Sequence, residues 1–148
     1  MKEKVASKPK NLQSVTRNSR SHRALALKAA DEAERVLIIF EKEHPHDARP
    51  RQAIEAIRAW AQGKRELGMA EVRQLSLDSH AAARGAKSDA ARFAARAAGQ
   101  AVATWHVPTH ALAVPAYVGK AIAANKNKTP KKRDLTPESI QWSKNRLY

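Results

Sequence analysis

His106 and His110 stand four residues apart, a spacing that puts two imidazoles on one face of a helix and could begin a metal site. Pro108 lies between them and disrupts that geometry. No Asp or Glu occurs from Gly99 to Asn125, so a third or fourth ligand would have to come from His80 or from another helix. The bland alternative has these histidines hydrogen-bonding at helix ends. His44 and His46 flank Pro45 and read as a surface turn. Asp31, Glu32 and Glu34 are accompanied by Lys28 and Arg35, so they read as a solvated helix face and not as an acid pair tuned for proton transfer. The chain has no cysteine, no G-x-S-x-G elbow, no phosphate-binding Walker loop and no dinucleotide glycine fingerprint. The expectation is a protein with no catalytic residues, no cofactor and no resident metal.

The elements that would hold these side chains are helical. Thirty of the 148 residues are alanine, the strongest helix former and a poor strand former, and only seven are aromatic. Large core side chains are scarce, so helices must approach closely. The length suits one domain. Ala26, Ala29, Ala33, Val36, Leu37 and Phe40 recur at three- and four-residue steps and predict a helix of about 22 residues from Ser21 to the turn at Pro45. Asp47 is placed to cap a second helix whose inner face is Ile54, Ile57 and Ala61, flanked by Ala53 and Trp60, and which Gly63 ends. A third runs from Met69 to Gly85 with Val72, Leu75, Ser79 and Ala82 inward. Ser88 caps a fourth, Asp89 to about His106, whose thin alanine stripe places it at the bundle centre. Pro108 ends it, and Thr109 caps a fifth helix with Leu112, Tyr117, Val118 and Ile122 inward and a kink at Pro115. The fold class is therefore all-α: a compact bundle of about five alanine-rich helices plus a short C-terminal helix. Trp60, Trp105 and Trp142 read as core fillers.

Charge divides the chain differently. Residues 1–23 hold seven Lys/Arg and one acid, residues 125–148 seven and two, while residues 24–124 hold fourteen and eleven. Most of the net charge of +14 thus sits at the ends. The expected organisation is a basic, loosely ordered extension (1–20), a helical domain (21–124), a basic linker (125–135) and a C-terminal helix (136–148) packing on the domain. Lys8, Lys10, Arg17, Arg20, Lys131, Lys132 and Arg133 could neutralise phosphates in weak, salt-sensitive contacts with nucleic acid. No helix-turn-helix signature, stacking platform or basic recognition helix accompanies them. The stretch from Val107 to Ala124 is mostly apolar, but Pro108, His110, Pro115 and Lys120 argue against a membrane span. The amino terminus lacks the apolar core of a secretion signal, so a cytoplasmic location is expected.

Order of segments is more specific than any one of them. The run 24–37 (ALALKAADEAERVL), then 47–60 (DARPRQAIEAIRAW), 80–84 (HAAAR), 94–107 (AARAAGQAVATWHV), His110-Ala111 and the closing Trp142 with Arg146-Leu147 resemble a bacterial immunity-protein family. That family is grouped in the fifth class of immunity-like domains of polymorphic toxin systems. The likeness covers roughly residues 22–124 plus the tail. Gln100 stands where the family often has histidine, and the cysteine common in its first helix is absent.

The resemblance implies a non-enzymatic protein that protects its host by binding a cognate toxin. His80, Arg84, His106 and His110, which fall in or beside the matching strings, are the candidate binding residues. Inhibitors of basic nucleases usually present acidic surfaces, so this basic chain suits an acidic or neutral toxin domain better. Two other readings compete with it: a basic nucleic-acid-associated accessory protein, and a metal-binding protein built on His80, His106 and His110.

Overall fold

A computed structural model of the chain describes residues 15–127. Five α-helices and one 3₁₀ segment follow in order: α1 (Arg20–Glu43), α2 (Arg49–Ala61), α3 (Met69–Arg84), α4 (Asp89–Ala103), the 3₁₀ segment (Pro108–Leu112) and α5 (Ala113–Lys126). The described residues contain no strand. The all-helical class and the number of main helices match the sequence reading.

α4 is the axis of the bundle, packing against α1, α2, α3, α5 and the 3₁₀ segment. Its composition makes this possible. Ala90, Ala91, Ala94, Ala95, Ala97, Ala98, Gly99, Ala101 and Val102 are all buried, so nearly its whole circumference is covered. Neighbours can surround one helix this closely only if its side chains are small, because interaxial distance follows side-chain size. The bulk comes from the neighbours: Leu37 and Phe40 of α1, and Ile54, Ile57 and Trp60 of α2, are each 1% exposed or less.

Local signals explain the ends. Ser19 caps α1 by accepting from the His22 N–H (3.1 Å), and Ser88 caps α4 by accepting from the Ala91 N–H (3.1 Å). α2 closes with Gly63 in the left-handed region (φ 72°), while Lys64 N–H donates to the Ala59 carbonyl (2.8 Å) and Gly63 N–H to that of Trp60 (3.0 Å). This pairing needs a positive φ, which glycine adopts without strain.

Several sequence expectations need correction. α4 stops at Ala103 instead of His106; Thr104, Trp105 and His106 donate to carbonyls three residues back, a tightening turn that ends the helix. The predicted fifth helix is two elements. Pro115 is the third residue of α5, in the first turn where no N–H partner is needed, so it starts a helix instead of kinking one. Leu112, expected inward, is 65% exposed, and no side chain, Thr109 included, caps α5. Asp47 stands one residue before the helix-capping position, which Ala48 occupies; its carboxylate still accepts from the Arg49 N–H (3.1 Å). α5 continues to Lys126, past the expected boundary at 124. The C-terminal helix expected over 136–148, with Trp142, lies outside the described residues.

The acids of α1 are not simply solvated. Arg58 of α2 donates to Glu34 and Asp31 (3.0 and 3.1 Å), and Arg51 donates to both oxygens of Glu41 (2.7 and 2.6 Å). α1 and α2 are thus clamped by ion pairs along their outer edge. Arg35 pairs with Glu32 and not with Asp31.

Candidate functional site

Two of the sequence-nominated side chains, His106 and His110, line one groove, and α3 supplies its other wall. Met69, Arg73, Ser76, Leu77, His80 and Arg84 recur at three- and four-residue steps and share one stripe of that helix. The two acids of α3 lie on the other side: Glu71 accepts from Arg65 (2.8 Å) and Asp78 from Gln74 (2.7 Å).

Two serines fix α3 to α4. Ser79, fully buried, donates to the Ala95 carbonyl (2.8 Å), and Ser76 donates to that of Gly99 (3.1 Å). At this close approach the His80 ring lies directly over Gly99, where an added Cβ would come within 2.7 Å of Nε2. Any other residue at 99 would displace the imidazole.

The His80 proton is placed by its partner. Arg96 Nη1 lies 2.8 Å from His80 Nδ1; arginine can only donate, so Nδ1 accepts and the proton sits on Nε2. Burial, followed by the charges of Arg96 and Arg84 and by His110, pushes the His80 pKa down to about 4. The ring is therefore neutral at physiological pH. Arg84, one turn further along α3, is exposed.

The opposite wall is the turn after α4 and the 3₁₀ segment. His110 Nδ1 lies 2.7 Å from Gln100 Oε1 and donates to it, which leaves Nε2 as an acceptor. Burial and then the neighbouring His106 lower the His110 pKa. His106 is exposed. α3 and the 3₁₀ segment both pack near α4 but not on each other, leaving a groove of about 180 Å³ lined by Met69, Arg73, Leu77, Ala103, His106 and His110.

The structure therefore brings His106 and His110 to one groove and sets His80 and Arg84 on the α3 stripe that borders it. They do not share one helix face, because α4 ends before His106. Among the described residues no group of three or more His, Cys, Asp or Glu side chains is placed to hold a metal ion. Arg96 occupies Nδ1 of His80 and Gln100 occupies Nδ1 of His110, so the metal reading loses donor atoms on both. Among the described residues the partners of His80 and His110 are Arg96 and Gln100, and no carboxylate pairs with these imidazoles. The arrangement suits recognition: the neutral ring of His80, the exposed arginines of α3 and an apolar rim.

Some participants were not nominated from sequence. Arg73 and Ser76 carry no local motif; Arg96 and Gly99 fall in the family-like string 94–107 and Ser79 is expected inward, but only their facing positions on α3 and α4 give them these roles. Gln100 was noted for its residue type but not for its bond. His22 was missed. It is fully buried, accepts the Asn18 N–H at Nδ1 (3.0 Å), and so donates from Nε2 to the Thr104 carbonyl (2.7 Å). Its ring packs edge-on against Trp60 (4.9 Å). The Ser19 cap was the available signal. Nor is His44 a mere surface residue: its Nε2 accepts the Lys87 N–H (3.2 Å), tying the end of α1 to the α3–α4 turn.

Of the cations nominated for nucleic acid, Lys8, Lys10, Lys131, Lys132 and Arg133 lie outside the described residues. Arg17 stacks on Trp105 (4.6 Å) and Arg20 opens α1, so both belong to the folded body. No described helix is long and apolar enough to cross a membrane.

No curated protein and no solved structure matches the chain. A family described as Imm-5 like putative immunity protein matches residues 16–148, from the turn before α1 to the end of the chain. Because that match takes in every described helix, the chain belongs to the Imm-5-like immunity protein family.

Proposed function

We propose that this protein neutralises a cognate bacterial toxin by binding it, without catalysing a reaction, in the cytoplasm of the cell that makes both. The observation that carries the reading is the family match over residues 16–148. The architecture supports it. A binding inhibitor must present fixed side chains at low entropic cost, and a bundle tightly packed around α4 provides a rigid frame. The candidate contact residues are His80, Arg84, His106 and His110. His80 and His110 are held in single orientations by Arg96 and Gln100.

The test is co-purification. An inactivated toxin encoded beside this gene, co-expressed with a tagged copy of the chain, should elute with it as a stable complex on size exclusion. Absence of a complex with any locally encoded toxin would sink the proposal. Binding of nucleic acid instead would appear as retention on DNA or RNA at low salt that is lost on deleting residues 1–14 and 128–134.

A further inference from the structure

We propose that the groove between α3 and the 3₁₀ segment takes an acidic segment of a partner protein, with one apolar side chain seated at Met69 and Leu77, one carboxylate on Arg73 and a second on Arg84, which lies beyond the groove on the same stripe of α3. This inference rests on the toxin-binding reading and adds to it a location and a partner chemistry.

Charge is the first argument. Arg35, Arg49, Arg51, Arg58, Arg65 and Arg92 each pair with a carboxylate of the chain. Arg73 and Arg84 are exposed and pair with none among the described residues, while Arg96 is bonded to a neutral imidazole. The acids of α3 are occupied on its far side, and from Ala90 to Arg133 the sequence contains no Asp or Glu. Among the described residues the one acid on α4, the 3₁₀ segment or α5 is Asp89, at the start of α4 and already paired with Arg92, so these elements offer this face no other carboxylate. Arginine presents a planar fork suited to carboxylates, and an opposing acidic surface would speed encounter and fix register.

Shape supplies the second argument. Leu77 is 56% exposed and Met69 37%, both on the groove's rim. A space of about 180 Å³ falls below the range of roughly 300–1,000 Å³ usual for small-molecule pockets, so it fits one anchoring side chain of a protein. Nucleic acid is a poorer occupant, because no Phe, Tyr or Trp lines the groove to stack a base, and its two imidazoles are the smallest of stacking rings. The chain's own residues 128–148 are also poorly suited, since they carry six Lys/Arg and only two acids.

The experiment uses the inactivated toxin encoded beside the gene and three full-length proteins: wild type, Arg73→Glu/Arg84→Glu, and Lys28→Glu/Arg35→Glu. The last makes the same charge change on α1. Circular dichroism first confirms that all three fold. The groove reversal should weaken the complex by at least about 100-fold, and the α1 reversal by less than about threefold. A photo-crosslinking residue at position 77 should capture the toxin, and one at position 38, an exposed apolar site on α1, should not. A wild-type complex unaffected by the groove reversal overturns the groove while leaving toxin binding intact. So does a crosslink from position 77 to residues 128–148 or to nucleic acid in the complex. Failure of the wild type to bind at all overturns both readings.

Discussion

Two faces of this bundle carry arginines and use them oppositely. On the α1–α2 face the guanidinium groups are occupied. Arg51 grips both oxygens of Glu41, Arg58 spans Asp31 and Glu34, and Arg49 holds Asp47. On the α3–α4 face Arg73 and Arg84 reach no carboxylate among the described residues, and Arg96 turns to His80. The cause is the placement of acids. Glu34 and Glu41 on α1 are seven residues apart, as are Arg51 and Arg58 on α2, so two turns of each helix bring matched pairs together across the interface. α4 offers α3 alanines and a glycine. One residue type therefore holds helices together on one side and, among the described residues, meets no carboxylate at Arg73 and Arg84 on the other.

Both faces depend on α4, and the largest effect should come from loosening that joint. His22 ties the start of α1 to Thr104 just past α4 and packs on Trp60 of α2. His22→Ala removes a buried ring and leaves the Thr104 carbonyl and Asn18 N–H to find new partners. It should cost about 3 kcal/mol in chemical denaturation. A loss below about 1 kcal/mol would mean that the joint lies elsewhere.

Acid should separate the two faces by pH window. His22, His80 and His110 have folded pKa values below the ordinary 6.5, so they favour folding fully above pH 6.5. That contribution falls as the unfolded chain takes up protons the folded chain refuses, from pH 6.5 down to about 4 for His80. Glu41 and Asp47 also have lowered pKa values, through their arginines, but relative to ordinary values of 4.5 and 3.8. The α1–α2 clamp should therefore fail only at lower pH. Stability followed against pH should decline first below 6.5, and His80→Phe should shrink that early decline.

The next contrast is a pair of single substitutions. Arg58 is 21% exposed and joins two helices, so Arg58→Ala should cost about 1 kcal/mol after solvent screening of its exposed partners. Arg84→Ala removes an exposed side chain without an ion pair in the described fold and should stay within about 0.5 kcal/mol. Equal losses would erase the distinction between the faces.

The smallest effect on stability is expected at Gly99. Gly99→Ala gains about 1 kcal/mol of helix propensity and forces the His80 ring off α4, so the net change should be slight. Its readout is NMR titration of His80, whose pKa should rise from about 4 toward 6.5 as the ring leaves its buried seat beside Arg96. An unchanged titration would show that the ring does not need that seat.

The fold was largely legible because its signals are local. Three- and four-residue periodicity found the helices, Ser88 and Gly63 marked ends, and the alanine run placed α4 at the centre. The segment around Pro108 and Pro115 is not legible from sequence, because a proline near a helix start and one inside a helix differ only in where the helix begins. That in turn depends on the 3₁₀ turn packing against α1, α4 and α5. The candidate site was half legible. His80, His106 and His110 stood out by type, and Arg84 by its place in the family-like string. Arg96 with His80, sixteen residues apart, and the clamp of Arg58 on Asp31 and Glu34 depend on how helices are set side by side, which no local pattern reveals.

The central claim, that this chain protects by binding a toxin through its α3 face, is tested most directly by growth. Cells expressing the adjacent toxin should be rescued by the wild-type chain and by Lys28→Glu/Arg35→Glu, and should die with Arg73→Glu/Arg84→Glu made to the same soluble level. Rescue by all three would contradict the groove, and no rescue by the folded wild-type chain would contradict the claim itself.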